Sequence, residues 1–330
     1  MKKRGKGIAS IFYPTGMSGG GDPSNALIKM KLDGTIDLLV GSIDIGQGCK
    51  TVLAQLAAEE LGLAMEQVTV INDNTDSCPM DTGTFASRVT HSMGNAVVMA
   101  ARELRQEILE LAASDLKTSP VNLTIENGEV KIKQSPDKKI ALADLAGKAT
   151  FGMGKILAGR GGYVKAPTAK DEETGACNPF ATAAYATTVA EVEVDTETGQ
   201  VEVLQLISVY DVGKAINPML CEGQIDGGSV MGLGMALMEN LNPYYPGIDF
   251  QPTSFADYMI PVSQDTGKIT AKIIEKPSTT SLYGTKGIGE MTANSEAPAI
   301  VNAVYNAIGV RITDLPITPE KIIRGLEKKV

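Results

Sequence analysis

The sequence predicts an α+β (mixed α/β) fold with two lobes, and three observations lead to this prediction. Two segments alternate apolar and polar residues around a D-G or T-G turn, which is the pattern of a β-hairpin. Each hairpin is followed by a glycine-containing loop with a glutamine and then by a helical pattern. The chain has 330 residues, of which 43% are hydrophobic, so it exceeds one ordinary domain and can form a buried core. We therefore expect a duplicated hairpin-plus-helix unit.

The first lobe is predicted over residues 1–158 and begins with a hairpin around Asp33-Gly34. Its strands are expected at 26–32 and 35–40. A helix is expected from Cys49, with Gly62 ending it as the residue after the last turn. A second helix near 92–116 is the most regular in the chain, because apolar residues recur every three or four positions: Val97, Ala101, Leu104, Ile108 and Leu111. A further hairpin is predicted around Asn127-Gly128.

The second lobe is predicted over residues 181–330, after a connecting loop at 159–180 that is rich in glycine and charge. Its hairpin has strands at 186–194 and 200–209 around Thr198-Gly199. A helix is expected from Met231 to Glu239, and an alanine-rich helix follows at 295–308. The last helix begins with Thr318 as its N-cap and Pro319 in the first helical position.

Four segments bring glycines and polar side chains to the start of a predicted helix: 42–48, 75–88, 211–228 and 284–290. Backbone N–H groups at a helix start bind anions without help from lysine or arginine, and amide side chains such as Gln47 and Gln224 add directed hydrogen bonds. The pattern therefore fits a large ligand with phosphate and oxo groups. Four unrelated helix caps would give the same pattern, and spacing alone leaves the two readings about equal.

The segment from Gly284 to Glu290 has glycines at 284, 287 and 289 and ends with a carboxylate directly before a helix. The glycines allow positive φ and a close approach of the backbone to a ligand. A glutamate in this position is ionised at neutral pH and can act as a base. A solvated surface glutamate in a tight turn is the alternative reading.

Composition and motifs exclude several classes of function. A net charge of −9 and a pI near 4.9 argue against binding of nucleic acids or anionic membranes. The cysteines at 49, 78, 177 and 221 form no C-x-x-C pair, which favours free buried thiols over zinc or iron–sulfur sites. The single histidine, His91, is expected in a core or helix-start position. No ATP or NAD loop, signal peptide or apolar stretch of membrane-spanning length is present, so the protein is expected in the cytoplasm.

The ordered motifs resemble the xanthine dehydrogenase/aldehyde oxidase family. They are Gly46-Gln47-Gly48, Phe85-Ala86-Ser87-Arg88, the stretch from Asp211-Val-Gly through Asn217-Pro218 to Gly223-Gln224, and Lys286-Gly-Ile-Gly-Glu290. The match is to the C-terminal half of that family's molybdenum-binding subunit and covers residues 7–326. Four motifs in order over some 250 residues are far more specific than any one of them.

The resemblance implies a role for each matched residue. Glu290 matches the family's base, which takes a proton so that a water-derived oxygen attacks an electron-poor carbon. Molybdenum receives no protein ligand in the resembling proteins, although Ala86 and Glu290 match residues near the metal. Phe12 matches an aromatic residue that stacks on substrate. Cofactor contacts are implied for Gly46, Gln47, Gly48, Phe85, Ala86, Ser87, Arg88, Val89, Gly223, Gln224, Lys286, Gly287 and Gly289.

The chain departs from the family in length, because the resembling subunits carry about as much chain again upstream. The resemblance implies a molybdenum-dependent hydroxylase that acts with an N-terminal molybdenum half-subunit, an FAD subunit and a [2Fe–2S] subunit. It further implies molybdopterin as cofactor, in the cytosine dinucleotide form. The substrate that the resemblance implies is a purine or another N-heterocycle, with an aldehyde-oxidising member of the family as the alternative. A non-catalytic cofactor-binding or assembly homologue is the other hypothesis, and retention of Glu290 favours the enzyme.

Overall fold

A computed structural model describes residues 1–19, 21–165, 169–240 and 252–328, and it confirms a mixed α/β fold. The strands are β1 (Lys2–Pro14), β2 (Ser24–Met30), β3 (Ile36–Val40), β4 (Val68–Ile71), β5 (Leu123–Glu126), β6 (Glu129–Ile132), β7 (Ser135–Ala141), β8 (Ala158–Tyr163), β9 (Ala183–Asp195), β10 (Val201–Asp211) and β11 (Lys268–Ile274). The α-helices are α1 (Cys49–Leu61), α2 (Gly94–Leu116), α3 (Leu142–Gly147), α4 (Pro218–Leu237), α5 (Glu296–Ile308) and α6 (Pro319–Glu327).

The chain forms two compact units, and each is built from segments distant in sequence. The terminal unit consists of residues 1–13, 184–276 and 288–330, and the central unit of residues 14–183 and 277–287. These boundaries differ from the predicted linear division at 158 and 181. The difference arises because β1 pairs with β9 of the terminal unit, while residues 277–287 return to the central unit.

The terminal unit contains a sheet in the order β1-β9-β10-β11. Strands β9 and β10 form the predicted hairpin, antiparallel from Val201 opposite Val194 to Tyr210 opposite Ala186, and β11 joins β10 in parallel. Helices α4 and α5 cover one face of this sheet through a core that includes Leu206, Leu233 and Ile300. A second cluster of buried residues surrounds Tyr210 and includes Val212, Ile225 and Met291.

The central unit contains a sheet in the order β4-β3-β2-β8 and a smaller one in the order β5-β6-β7. The two predicted hairpins are present, with Gly34 and Gly128 at positive φ in their turns. Helix α2 packs on β2 and β8 and contributes the buried face predicted from its periodicity. Helix α1 ends at Gly62, which has φ 66° as a residue beyond a helix end commonly does.

Three expectations about local structure were wrong. Part of the predicted loop at 159–180 is the strand β8, which pairs with β2. The helix expected from Met231 begins thirteen residues earlier at Pro218, so Gly223 and Gln224 lie within α4 and not before it. Of the four cysteines, which are all unpaired, only Cys49 is buried.

Other local predictions were confirmed. Thr318 caps α6 by accepting a hydrogen bond from the backbone N–H of Lys321. His91 is completely buried, with Nε2 2.9 Å from Thr280 Oγ1, and burial lowers its pKa to about 4. A search of the described helices finds none long and apolar enough to cross a membrane.

Candidate functional site

The loop before α1 is held together by Asp44 and Gln47. Asp44 accepts hydrogen bonds from the backbone N–H groups of Gly46, Gly48 and Lys50 at 3.0, 3.2 and 3.1 Å. Burial acts to raise the pKa of Asp44, but these donors outweigh it and the pKa is lowered. Gln47 accepts from the N–H of Ile45 at 2.6 Å and donates to the carbonyl of Ile43 at 3.1 Å. Since an amide has two N–H donors, Gln47 shapes its loop and retains one donor for a ligand.

The segment after Gly83 has strained backbone at two successive residues that are not glycine. Ala86 has φ 47° and Ser87 has φ 49°. Such conformations cost free energy and are concentrated at ligand clamps and active sites. The carbonyl of Ala86 accepts a hydrogen bond from the N–H of Gly16 at 3.0 Å, which supports the strained conformation. This segment was singled out from the sequence, but its strain is visible only in the structure.

Arg88 holds this segment in place and is completely buried. Its guanidinium forms ion pairs with Asp81 at 2.7 Å and Asp22 at 3.3 Å. It also donates to the carbonyls of Pro23 and Gly83 and to the hydroxyl of Ser24. The backbone N–H of Arg88 donates to the carbonyl of Phe85. The guanidinium donors of Arg88 thus serve the central unit itself, and the cofactor contact expected for this residue stays a prediction.

Residues 277–287 bring Lys286 and Gly287 to the same segment of the central unit. A Cβ atom on Gly287 would lie 1.5 Å from the carbonyl oxygen of Ser87, so only glycine allows this approach. Thr285 donates a hydrogen bond to the carbonyl of Thr90 at 3.1 Å, which also holds residues 277–287 against the segment that follows Gly83. Lys286 is buried. The central unit thus contains four groups of predicted site residues: Gly46 to Gly48, Phe85 to Val89, Lys286 and Gly287.

The terminal unit carries Glu290 as the first residue of a 3-10 turn, Glu290–Ala293. Glu290 is exposed, whereas Met291 and Thr292 directly after it are buried. Thr292 Oγ1 donates to the carbonyl of Gly289 at 2.7 Å and closes the turn. Of the three glycines predicted to have positive φ in this segment, only Gly284 does, and Gly289 has φ −59°.

Tyr13 is a candidate site residue that the sequence reasoning missed. It lies at the end of β1, and its pKa is raised first by burial and second by the negative charge of Glu290. The predicted substrate aromatic, Phe12, is exposed and lies against Tyr185, with ring centroids 5.4 Å apart, and its contact with substrate stays a prediction. Because side chains alternate along a strand, Phe12 and Tyr13 point to opposite faces of β1.

Helix α4 packs directly against the turn that carries Glu290. A Cβ atom on Gly228 would lie 2.3 Å from Thr292 Oγ1, so the helix can approach the turn this closely only with glycine at position 228. Gln224 lies one turn earlier on the same helix and is half-buried, and Gly223 beside it is exposed. Asn217 caps the helix by accepting from the N–H of Leu220 at 3.0 Å. The terminal unit thus combines Gln224, on α4, with Glu290.

The site residues have the chemistry needed to hold a large cofactor. Within the described ranges, no group of three or more His, Cys, Asp or Glu side chains can hold a metal ion. Gly46 and Gly223 are exposed and have open space where a Cβ would stand, which leaves room at both segments for a bound group. Amides, backbone N–H groups and a carboxylate remain. This set suits a ligand with phosphate and oxo groups.

Comparison with known proteins shows the family of the chain. Residues 1–267 match the molybdopterin cofactor-binding domain family. The chain belongs to this family, within the molybdenum hydroxylases of the xanthine dehydrogenase/aldehyde oxidase type. It is 33% identical over 327 residues to the putative xanthine dehydrogenase molybdenum-binding subunit of Escherichia coli strain K12, covering 97% of this chain and 42% of that protein.

Two further relatives show the breadth of the family. The nicotine 6-hydroxylase large subunit of Paenarthrobacter nicotinovorans is 33% identical over 97% of this chain and 37% of its own length. The crystal structure of quinoline 2-oxidoreductase from Pseudomonas putida 86 superposes with a TM-score of 0.83 and 28% identity, covering 99% of this chain and 42% of that one. The chain therefore spans less than half the length of the relatives it matches.

Proposed function

We propose that this chain is the C-terminal catalytic half of a molybdenum hydroxylase large subunit, with Glu290 as its general base. The carrying observation is the position of Glu290, which is exposed on a turn whose next two residues are buried. A base needs this combination, because its carboxylate must reach the reactants while its backbone stays fixed. A protein that only stores a cofactor has no need of a carboxylate held in this way.

The cofactor we propose is molybdopterin, in its cytosine dinucleotide form. When bound, it would supply the redox centre that accepts two electrons from the substrate. Gln47 and Gln224 are the amides that would donate hydrogen bonds to its oxygen atoms, and the strained backbone at Ala86 and Ser87 marks a further segment that would hold it. A carboxylate oxygen of Glu290 would accept the proton of a water-derived hydroxyl group, and the oxygen of that group would attack the substrate carbon. The charge of Glu290 contributes to the raised pKa of Tyr13, which makes Tyr13 a further candidate residue of this site.

The proposed substrate is a purine or another N-heterocycle. This proposal rests on the names of the relatives, which act on xanthine, nicotine and quinoline. An aldehyde is the alternative, since the aldehyde oxidoreductase of Desulfovibrio gigas also superposes, with a TM-score of 0.81 and 26% identity. In both cases the attacked carbon is electron-poor and needs an oxygen nucleophile, so the role of Glu290 is the same.

The proposed partners are the N-terminal molybdenum half, an FAD subunit and a [2Fe–2S] subunit. The four cysteines of this chain form no C-x-x-C pair, and only Cys49 is buried. Iron–sulfur clusters are held by sets of cysteine thiolates, so electrons that leave the molybdenum need an acceptor on another chain.

Co-expression tests this proposal directly. In a host that makes the pterin cofactor, the chain alone is expected to contain no molybdenum and to reduce no dye with purines, quinoline or aldehydes. The complete set of partners is expected to give stoichiometric molybdenum and turnover, measured by elemental analysis and dye reduction. Turnover by the chain alone would overturn the half-subunit proposal. A complete complex with molybdenum but without turnover on any of these substrates would indicate a cofactor-binding homologue.

Replacing Gln47 or Gln224 by alanine in the complete complex is expected to lower cofactor retention before it lowers the rate per molybdenum. Each lost hydrogen bond to a charged group costs about 1.5–3 kcal/mol, or roughly 10- to 100-fold in affinity. Molybdenum per protein after gel filtration measures this loss. The matched control is Gln106→Ala, at an exposed position of α2. Full occupancy with both Gln47 and Gln224 replaced would remove these residues from the site.

A further inference from the structure

Glu296, the first residue of α5, is a completely buried carboxylate that the proposed chemistry does not use. In the described ranges its carboxylate has no lysine, arginine or histidine as an ion-pair partner. Hydroxyl groups surround it instead: Tyr210 Oη at 2.8 Å, Thr188 Oγ1 at 3.0 Å, Ser208 Oγ at 3.3 Å and Ser295 Oγ at 3.4 Å. Burial raises its pKa, against these hydrogen bonds. Burying an unpaired carboxylate is costly, so its presence calls for a function.

Tyr210 connects this carboxylate to the turn that carries Glu290. Tyr210 is also completely buried, and its hydroxyl lies 3.3 Å from the carbonyl oxygen of Thr292 and 3.5 Å from that of Met291. Both carbonyls belong to the 3-10 turn Glu290–Ala293. Burial, and then the charge of Glu296, raises the pKa of Tyr210, so the hydroxyl stays protonated as a donor. The single proton of this hydroxyl goes to Glu296 at 2.8 Å, the shortest of these contacts, so the bond ties the start of α5 to β10 next to the Glu290 turn.

Helix α4 packs against both Glu296 and the turn that carries Glu290. A Cβ on Gly232 would lie 2.4 Å from the Cβ of Glu296, just as Gly228 meets Thr292. The turn itself is only weakly closed by backbone hydrogen bonds, with the N–H of Thr292 at 3.3 Å from the carbonyl of Gly289. The position of the turn thus depends on what its carbonyls and buried side chains contact.

We infer that Tyr210 and Glu296 are positioning residues that hold the Glu290 turn in the position that the base requires. This inference rests on the proposed function of Glu290. The hydrogen bond from the Tyr210 hydroxyl to Glu296 fixes the start of α5 on β10, and the turn that carries Glu290 directly precedes α5. Neither residue touches substrate or cofactor in this role. Catalysis is sensitive to such placement, because a displacement of about 1 Å can cost roughly 100-fold in rate.

The test is Tyr210→Phe in the complete complex, which removes the hydroxyl and keeps the ring in its cluster. We expect kcat per molybdenum to fall about tenfold, while KM and molybdenum content stay at the wild-type level. Glu296→Gln keeps an oxygen acceptor for the Tyr210 hydroxyl but loses the charge that strengthens the bond, so kcat is expected to fall by a smaller factor than in Tyr210→Phe. The matched control is Tyr258→Phe, which removes the 2.6 Å hydrogen bond from another tyrosine to Glu239 in the same unit.

Each outcome decides the inference. An unchanged kcat in Tyr210→Phe, or a loss confined to KM or cofactor content, would overturn it, as would a Glu296→Gln variant as slow as Tyr210→Phe. If Tyr210→Phe does not fold, Ser295→Ala removes a smaller hydroxyl 3.3 Å from Tyr210 Oη, and an unchanged kcat there would also overturn it. Activity in Glu290→Gln would instead contradict the proposed base, whatever Tyr210→Phe shows.

Discussion

Glu290→Gln in the complete complex is expected to reduce kcat by roughly 10²- to 10⁴-fold, the usual cost of removing a general base. Glutamine has nearly the same shape as glutamate and keeps hydrogen-bonding groups, but it cannot accept the proton at neutral pH. The turn should remain in place, because Met291 and Thr292 are buried and Glu290 is exposed. Dye-coupled turnover per molybdenum measures the effect, and molybdenum content should be unchanged.

The control for this variant is Glu202→Gln, at an exposed glutamate of β10. It makes the same chemical change in the same unit, and turnover should not respond to it. More than a tenth of the wild-type rate in Glu290→Gln would show that Glu290 is not the base. A loss of molybdenum together with rate would indicate instead that Glu290 helps to hold the cofactor.

Arg88→Met is expected to give the largest loss of stability. Asp81 has a completely buried side chain and Asp22 a nearly buried one, and without the guanidinium both negative charges remain in the interior. Breaking a buried ion pair in this way costs about 3–5 kcal/mol in the free energy of unfolding. The strained Ala86-Ser87 backbone next to Arg88 should lose its support at the same time. Thermal unfolding of the purified chain measures the change, with a fall in Tm of about 10 °C expected.

The control for Arg88→Met is Arg102→Met, because Arg102 is about half-exposed and pairs with Glu60 at 3.0 Å on the surface. An exposed pair contributes about 1 kcal/mol or less, so this variant should unfold near the wild-type temperature. The triple change Arg88→Met, Asp22→Asn, Asp81→Asn should recover part of the lost stability, since it removes the uncompensated charges. Equal Tm values for Arg88→Met and Arg102→Met would contradict the structural role assigned to Arg88.

Much of the local structure could be predicted because it depends on neighbours in sequence. The hairpins at Gly34, Gly128 and Gly199 follow from turn residues that adopt positive φ readily. The end of α1 and the cap of α6 follow from Gly62 and Thr318 for similar reasons. Prediction failed at the start of α4, where five glycines between 223 and 234 lower the intrinsic helix propensity. Packing outweighs this cost, because Gly228 and Gly232 have no side chains and so allow close contact of the helix with Thr292 and Glu296.

The same distinction applies to the candidate site. The sequence by itself determined the ordered motifs, the carboxylate at 290 and the lack of clustered cysteine and histidine ligands. Only the tertiary structure decided that the charge of Glu290 acts on Tyr13, and that Arg88 binds Asp22 across 66 positions of sequence. It also decided that Tyr210 meets Glu296, 86 positions away. The physical reason is that hydrogen bonds and ion pairs between distant segments depend on which strands and helices pack together, and local propensity carries no information about that choice.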